Sequence, residues 1–393
     1  MADAADTLKG PTPTTPPLDR AKRKARSADE DNKYYTAGQF QLIWWRFKKH
    51  RLALIGSTLL GLFLVIMLFA EFLAPVSGNT RNVDYLYGPP QKIHFVDAEG
   101  NFHLRPFVYA LTYGMNPETF LLEVTEDTDT RWPIYFFVKG EPYELWGLIP
   151  GDLHLYGVQD EGAFFHLLGT DKLGRDVFSR IMFGTRVSLS IGVFGMFISF
   201  FLGLIIGGIA GFFGGAVDEV IQRSIEFIRS IPTLPLWMAL ASTLPLEWSA
   251  EQVYFAITII LGLLGWTNLA RRVSSKLLSL REEDYITAAR VAGSSDARII
   301  FRHMLPSFLS YIIVDLSISF PYMILAETSL SFIGLGLRPP VISWGVLLQD
   351  SQNVKSIALY PWLFTPVIFV VLAVLAFSFV GDGLRDAADP YSR

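Results

Sequence analysis

Six long apolar runs constrain this chain more than any other feature of its sequence. The first, residues 52–70, contains nineteen residues without a charge. At 1.5 Å per residue, a helix of that length reaches about 28 Å, close to the apolar thickness of a bilayer. The other runs are residues 187–217, 230–246, 252–270, 303–326 and 356–381. We therefore predict an all-α polytopic membrane protein with six transmembrane helices.

The third run, residues 230–246, is the least regular of the six. It is short and contains Pro232, Pro235 and Pro245, and proline inside a helix removes a backbone hydrogen bond. A re-entrant segment is the alternative for this run. The first run is not expected to be a secretory signal, because about fifty polar residues precede it and its apolar length exceeds that of a signal core.

The region before and around the first run divides into two parts. Residues 1–37 are rich in Pro and Thr and then basic, so we predict a disordered cytoplasmic tail. Residues 38–78 are predicted to contain an interfacial helix followed by the first transmembrane helix. In that interfacial helix Trp44 and Trp45 stand among basic residues, a mixture typical of the membrane surface.

The charges of the loops predict the orientation of the chain. Residues 1–51 contain eleven Lys and Arg against six acids, and residues 271–302 contain seven against four, whereas residues 74–186 contain nine against fifteen. By the positive-inside rule the first two regions are cytoplasmic and the third is external. Six spans then return the C-terminus to the cytoplasm, so both termini are predicted to be cytoplasmic.

The region between the first two runs is long and aromatic. We predict that residues 79–165 form an external cap insert that contains β-strands, because its aromatic stretches alternate in polarity like strands. The remainder, residues 166–393, is then a core of five transmembrane helices with a cytoplasmic loop at 281–306.

The stretch KIHFVDAEGNFHLRPF predicts a β-hairpin within the cap insert. Its four-residue turn begins at Asp97 and ends at Gly100, where a left-handed backbone is wanted. Pairing Val96 with Asn101 sets His94 opposite His103. The apolar side chains expected on the packed face are Ile93, Phe95, Phe102 and Leu104. The two histidines form a weak candidate for a metal pair, but no metal site is predicted, because two ligands without a third rarely make one.

The cytoplasmic loop after the fourth run carries a candidate docking helix. A helix over residues 283–292 places four residues on one side at helical spacing, namely Tyr285, Ala288, Ala289 and Ala292. Gly293 is expected to end this helix in a left-handed conformation, and Ser294 or Ser295 to cap a second short helix that runs to Leu305. Pro306 marks the start of the next span. Small side chains on an exposed face allow another surface to approach closely.

A DNA-binding helix-turn-helix is the competing interpretation of this loop. The loop is tied to the membrane at both ends and has a small basic excess, so it could hardly enter a major groove. The whole chain has a net charge of −4, which gives no general attraction to nucleic acid. No nucleic-acid partner is therefore expected.

The same loop resembles the signature of permease subunits of bacterial ABC importers. The matching positions are Ala288, Ala289, Gly293, Leu305 and Pro306, whereas Thr287 and His303 depart from the usual Glu and Ile. Further stretches resemble the C-type subunit of the dipeptide, oligopeptide and nickel branch. They are RLALIG at 51–56, LGTDKLGRDVFSRIMFGTRVSLSIG at 168–192, AETSLSFIGLGLRPPVISWG at 326–345 and GDGLRDAADP at 381–390.

This resemblance implies a type I permease fold in the bacterial cytoplasmic (inner) membrane and a set of partners. A second, different permease subunit would complete a heterodimer, two cytoplasmic ATP-binding subunits would drive transport, and an external binding protein would deliver the solute. The ATPase-coupling residues would be Tyr285, Ala288, Ala289, Arg290, Gly293, Leu305 and Pro306. Peptides are the expected solute, with oligosaccharides, opines or nickel as alternatives.

Catalysis is expected to lie in another chain. The sequence has no GxxxxGK[ST] loop and no cysteine, and its six histidines are scattered. We therefore expect a non-catalytic subunit that binds no cofactor itself, with ATP and Mg used by the ATPase partners. The glycine-rich run GGIAGFFGG at 207–215 indicates close helix packing.

Three acids lie in or near the apolar runs. Glu71 and Glu327 are expected at the outer ends of spans, where a carboxylate commonly snorkels to the interface or caps a helix. Asp315 lies nine residues beyond Pro306, and a carboxylate facing lipid there would cost about 2.5–3.5 kcal/mol. Asp315 and Glu327 are therefore candidates for the solute pathway, with a bond to a neighbouring helix as the alternative.

Two other classes of protein compete with the importer interpretation. A secondary transporter or channel predicts matched broken helices in two repeated halves, and no such repeat is visible in the sequence. A membrane-anchored receptor whose external region matters most would leave the loop 281–306 without a role.

Overall fold

The computed structural model describes residues 38–115, 122–160 and 162–388. The predicted tail, residues 1–37, lies outside these ranges. The description begins with helix α1, Gln39–Phe47, which is followed by α2, Arg51–Leu68. His50 caps α2, because its ring nitrogen Nδ1 accepts a hydrogen bond from the backbone of Ala53 at 3.0 Å. A single turn, α3, covers Ala70–Leu73.

The predicted cap insert contains five strands in two antiparallel sheets. The strands are β1 His94–Val96, β2 Phe102–Met115, β3 Leu122–Pro133, β4 Tyr135–Leu145 and β5 Ile149–Gly157. One sheet has the order β1-β2-β3, and β4 pairs with β5 in the other. Both sheets contribute to a small buried cluster that contains Val108, Ile134, Tyr156 and Phe165. The insert therefore has a hydrophobic core of its own.

The first hairpin of the cap forms at the predicted turn but in a different register. Gly100 has the expected positive φ of 89°, and its N–H bonds to the Asp97 carbonyl at 3.0 Å. Val96, however, pairs with Phe102, and a bulge then brings His94 opposite Phe107. The predicted pairing of His94 with His103 is therefore wrong.

The side chains of the first hairpin that were expected to pack down are exposed. Ile93, Phe95, Phe102 and Leu104 are all exposed, with Leu104 at 89%. The opposite face of the sheet is the buried one, where the ring of His94 stacks on Phe107. The predicted packing of these four residues is therefore wrong, because the face that carries His94 and His103, whose rings both contact Phe107, is the one that packs.

The rest of the chain is helical. The helices are α4 Val177–Phe213, α5 Gly215–Ser230, α6 Thr233–Ser242, α7 Ala250–Leu280, α8 Asp284–Val291, α9 Asp296–Arg298, α10 Leu305–Ser307, α11 Leu309–Ile333, α12 Trp344–Gln349, α13 Val354–Leu359 and α14 Thr365–Ala388. Within the described ranges, five helical segments are long and apolar enough to cross a membrane. They are Arg51–Leu68, Val177–Phe213, Ala250–Leu280, Tyr311–Ile333 and Pro361–Ala388.

The third predicted span coincides with α6 and the residues around it. With ten residues, α6 reaches about 15 Å, half of the apolar thickness of a bilayer. Ile231 and Pro232 separate it from the amphipathic α5. The count of six complete spans stays a prediction.

Helices α4 and α7 pack closely along a line of glycines. A Cβ atom placed on Gly203, Gly207 or Gly211 would lie 2.8 Å or less from an atom of α7. At Gly207 the nearest atom is the backbone carbonyl oxygen of Ala270, at 2.5 Å. Only hydrogen fits at these positions, so the predicted close helix packing is confirmed for this run.

A buried polar junction links the cap insert to the start of α4. Asp176 is the N-cap of α4 and accepts a hydrogen bond from the Ser179 N–H at 2.6 Å, while its other oxygen lies 3.3 Å from His166 Nδ1. Two residues further on, Phe178 packs against the hydrophobic cluster of the cap. The first turn of α4 is therefore part of the cap's core as well as the beginning of a membrane-length helix.

Candidate functional site

Helix α8 ends in a turn that only a left-handed residue can make. Gly293 has a φ of +78°, its N–H bonds to the Arg290 carbonyl at 3.0 Å, and the Ser294 N–H bonds to the Ala289 carbonyl at 3.1 Å. These two bonds form a Schellman motif, in which glycine avoids the steric penalty that a Cβ would introduce. The predicted helix and its glycine stop are both confirmed.

The inner face of α8 is fixed to the membrane helices. Ile286 is fully buried in a cluster that includes Phe212 of α4, Leu277 of α7 and Ile312 of α11. Ala289 is half-buried against the same cluster. The prediction that Ala289 shares one exposed face with Tyr285 and Ala288 is therefore wrong, because the chain rotates α8 so that Ile286 and Ala289, three residues apart, point inward.

The outer face of α8 is exposed. Tyr285, Ala288 and Ala292 are exposed, as is Arg290. Val291 is 85% exposed and lies three residues after Ala288, on the same side. Val291 did not stand out in the sequence analysis, although its spacing from Ala288 could have identified it. The arrangement is a small, weakly charged surface on a firmly held helix.

The segment after Gly293 differs from the predicted single helix. Ser295 occupies the N-cap position of α9 but makes no side-chain capping bond. Six residues, Ile299–Met304, then adopt a π-helix before the short α10. Met304 is fully buried in the cluster below α8, whereas Leu305 is half-buried and Pro306 is exposed. Leu305 thus supports the inner face, and Pro306 lies at the surface.

Asp315 is paired within the chain. Its carboxylate is buried in α11 and forms an ion pair with the guanidinium of Arg272 on α7. The side chain of Arg272 is 44% exposed, so the pair has a buried partner and an accessible one. The pair links α7 and α11 close to the end of the bundle that holds α8.

Glu327 is completely enclosed by hydroxyl groups. Its carboxylate accepts hydrogen bonds from Ser188 at 3.1 Å, from Ser331 at 2.9 Å and from Ser343 at 2.7 Å. These serines belong to α4, to α11 and to the N-cap of α12. Glu327 therefore ties three parts of the core together, and it has no exposed surface through which to touch a solute.

Glu71 forms a bidentate ion pair that the sequence did not reveal. Its two carboxylate oxygens accept from Arg186 of α4 at 2.5 and 2.6 Å. Burial disfavours the charged form of Glu71, but the hydrogen bonds and charge of Arg186 outweigh burial, so the pKa of Glu71 lies below its ordinary value. This pair fixes the end of α2 against α4.

The two histidines of the cap hairpin have separate acidic partners. His94 Nε2 lies 3.2 Å from Glu126, and His103 Nε2 lies 2.8 Å from Asp97. Within residues 38–115, 122–160 and 162–388, no cluster of three or more His, Cys, Asp or Glu side chains is arranged to hold a metal ion. The geometry gives His94 and His103 no shared site.

Two family models match the sequence of this chain. The model described as the inner membrane component of binding-protein-dependent transport systems matches residues 203–393. The model described as the N-terminal transmembrane domain of oligopeptide transport permease C matches residues 38–90. The first match contains α8, and the second contains α1 and α2.

Similar proteins include three curated peptide permeases. The oligopeptide transport system permease protein OppC of Bacillus subtilis (strain 168) is 37% identical over 229 residues, which cover 58% of this chain and 72% of that protein. The OppC protein of Haemophilus influenzae is 40% identical over 230 residues, 58% and 71% of the two chains. The dipeptide transport system permease protein DppC of Lactococcus lactis subsp. cremoris is 33% identical over 357 residues, 89% and 90% of the two chains.

Proposed function

This chain belongs to the family of permease subunits of binding-protein-dependent peptide importers, C-type, and on that premise we propose that it forms half of a peptide pathway driven through the outer face of α8. The observation that carries the proposal is the contrast between the two faces of this helix. Ile286 is fully buried, whereas Val291 is 85% exposed. Ala288 and Ala292 are exposed beside Val291, and a contiguous apolar face on a firmly held helix is typical of a protein-binding surface.

The partners of the proposed complex follow from the family. A cytoplasmic ATPase subunit would contact α8, a second permease would supply the other half of the pathway, and an external binding protein would deliver the peptide. We propose that both termini of this chain lie on the cytoplasmic side, as the loop charges predict. ATP and Mg would be used by the ATPase subunits.

The contacts of α8 suggest how movement would reach the pathway. The cluster around Ile286 includes residues of α4, α7 and α11, so a displacement of α8 would move those helices with it. The ion pair of Asp315 with Arg272 connects α7 and α11 near the same end. Closure of the ATPase pair on ATP binding would then draw the docked loops together and rotate the helices as rigid bodies.

The two acids of the core receive different proposed roles. Asp315 has an accessible partner in Arg272, and both groups would face the pathway when the helices separate. Glu327 is enclosed by three serines, so we assign it the role of a positioning residue that holds α12 against α4 and α11.

The docking proposal can be tested with a charge on the outer face of α8. The variant Ala288→Glu places a carboxylate where a dry interface with the ATPase is proposed, and burying an unpaired charge there costs well over 1.4 kcal/mol, or more than about tenfold in affinity. Binding of the ATPase subunits and their ATP hydrolysis should both fall. The measurement is titration of the ATPase onto the permease pair in lipid nanodiscs.

The matched control is the same change at an exposed alanine of the cap, Ala98→Glu. Ala98 lies in the hairpin turn of the insert, far along the chain from α8, so ATPase binding should be unaffected. Unchanged binding for Ala288→Glu would contradict the docking surface. The solute is a separate question, which direct binding of peptides to the cognate external binding protein would answer.

A further inference from the structure

The tip of the second cap hairpin is apolar and exposed. It lies between β4 and β5, where Leu145 pairs with Ile149, and residues 146–150 read WGLIP without a charge. Leu148 is 82% exposed and Ile149 is 62% exposed. The turn is built by two consecutive residues with positive φ, Trp146 at 57° and Gly147 at 67°. A left-handed tryptophan is uncommon and indicates that its surroundings hold it in place.

Those surroundings are the outer end of the first transmembrane helix. The indole Nε1–H of Trp146 donates to the carbonyl of Leu68, the last residue of α2, at 3.0 Å. Its backbone N–H donates to Glu71 at 3.4 Å. The guanidinium of Arg186 stacks on the indole ring, 4.2 Å from its centroid. Trp146 is therefore fixed at the level where α2 leaves the membrane.

The contacts along the hairpin show which way its tip points. Farther from the tip, Glu141 accepts from the Ser77 N–H at 2.8 Å, and His154 bonds to the Ala74 carbonyl. Trp146, at the tip, reaches back to Leu68. The contacts made farther from the turn are thus with residues 74 and 77, which follow the first span, whereas the contact made at the turn is with residue 68, at the end of that span. The hairpin runs down towards the bilayer.

The apolar tip is continuous with the lipid-facing surface of α2. The exposed apolar side chains at that end of the helix are Leu64, Val65, Leu68 and Phe69. Because Trp146 bonds to Leu68, the tip residues Leu148 and Ile149 extend this surface sideways. Tryptophan is enriched at the level of the lipid head groups, where its ring is apolar and its N–H needs a partner.

We propose that the β4–β5 hairpin is a membrane anchor whose tip, residues 146–150, inserts into the leaflet on the side of the cap, which is the outer leaflet in the predicted orientation. Exposed Glu144 and Asp152 flank the tip and limit its depth to the head-group and upper acyl region, about 5–10 Å. The anchor holds the cap to the bilayer beside the first span. The proposal is independent of the docking of ATPase subunits to α8.

The chain contains no cysteine, so a single introduced cysteine can be labelled specifically at any chosen position. A bimane label on Leu148→Cys, in the full-length chain in lipid nanodiscs, should be strongly quenched by lipids with a shallow nitroxide and shielded from aqueous iodide. The matched control is Leu104→Cys, an 89% exposed leucine on the first hairpin of the same cap. It should show the reverse, with iodide quenching several-fold stronger. Leu64→Cys provides the reference for a lipid-facing position about 6 Å along α2 from Leu68.

Two results would overturn the anchor. Iodide quenching at 148 equal to that at 104 would place the tip in water. Shielding at 148 from both iodide and lipid nitroxides would mean that protein covers the tip. If Leu148→Cys does not fold, Ile149→Cys gives the same test at the neighbouring position. Since neither measurement uses ATP or peptide, a failure here is distinct from a failure of the proposed transport function.

Discussion

Replacing Gly293 separates the role of backbone shape from that of side-chain contact. The residue has a φ of +78°, and a Cβ added to it would meet no atom within 4 Å. A clash is therefore excluded, and the cost of a side chain comes from the left-handed backbone alone. That cost is about 1–2 kcal/mol for alanine, less for asparagine, and more for a β-branched residue such as valine.

This strain acts on the turn that sets the end of α8. If the variant turn relaxes to another backbone conformation, the docking-competent form loses at most the same 1–2 kcal/mol, which is about 5- to 30-fold in population and in apparent ATPase affinity. We expect the affinity to fall in the order glycine, asparagine, alanine, valine. Titration of ATPase subunits onto the permease pair in nanodiscs measures this order, and ATP hydrolysis should follow it.

Gly100 provides a control with the same backbone strain at a different place. It has a φ of +89° in the cap hairpin, and its added Cβ would also meet nothing within 4 Å. Gly100→Ala should therefore strain a turn to a similar extent without changing ATPase affinity. The reasoning is refuted if Gly100→Ala weakens binding as much as Gly293→Ala, or if asparagine and valine at 293 behave alike.

Three further predictions concern stability. Gly207→Val should lower the melting temperature in detergent, since its Cβ would sit 2.5 Å from a backbone oxygen of α7 and overpacking costs about 1–3 kcal/mol; an unchanged melting temperature would contradict the close packing. Glu71→Gln should be strongly destabilising, by about 3 kcal/mol, because it leaves the half-buried Arg186 without its carboxylate, and adding Arg186→Met should recover part of the loss in a double-mutant cycle. The His103 hydrogen bond holds the pKa of Asp97 well below its ordinary value, so this carboxylate stabilises the cap above about pH 4. The difference in melting temperature between the unsubstituted protein and Asp97→Asn should therefore shrink as the pH falls below that value.

The positions of the spans and of one helix end could be predicted from sequence, because one strong physical effect decides each of them. Apolar length alone located the spans at 52–70, 187–217, 252–270, 303–326 and 356–381, because each run must leave water as a helix. The turn at Gly293 also followed, since few residues other than glycine end a helix in that way. Both conclusions depend on local chemistry that a neighbouring element cannot reverse.

Predictions of which face of a helix or strand is buried were less successful. In α8 the alanines are equally suited to either side, and the rotation is set by Ile286, whose partners lie on three other helices. In the first hairpin a bulge moves His94 opposite Phe107, and Phe107 also pairs with Pro133 of β3, a strand that follows later in the chain. The pairing of Glu71 with Arg186 joins positions that are 115 residues apart, and no local pattern could have revealed it.

Helix α4 has a consequence for how the two sides of the membrane communicate. Its 37 residues form a rod of about 56 Å, nearly twice the apolar thickness of a bilayer. Phe178 at one end belongs to the core of the cap, and Phe212 at the other belongs to the cluster beneath α8. Because both ends of α4 pack against protein, a tilt of the helix at one end moves the other end as well. Thermodynamic linkage makes the resulting coupling between the two ends reciprocal. If a partner bound at α8 changes the affinity of the cap for a second partner by some factor, then binding of the second partner changes the affinity at α8 by the same factor.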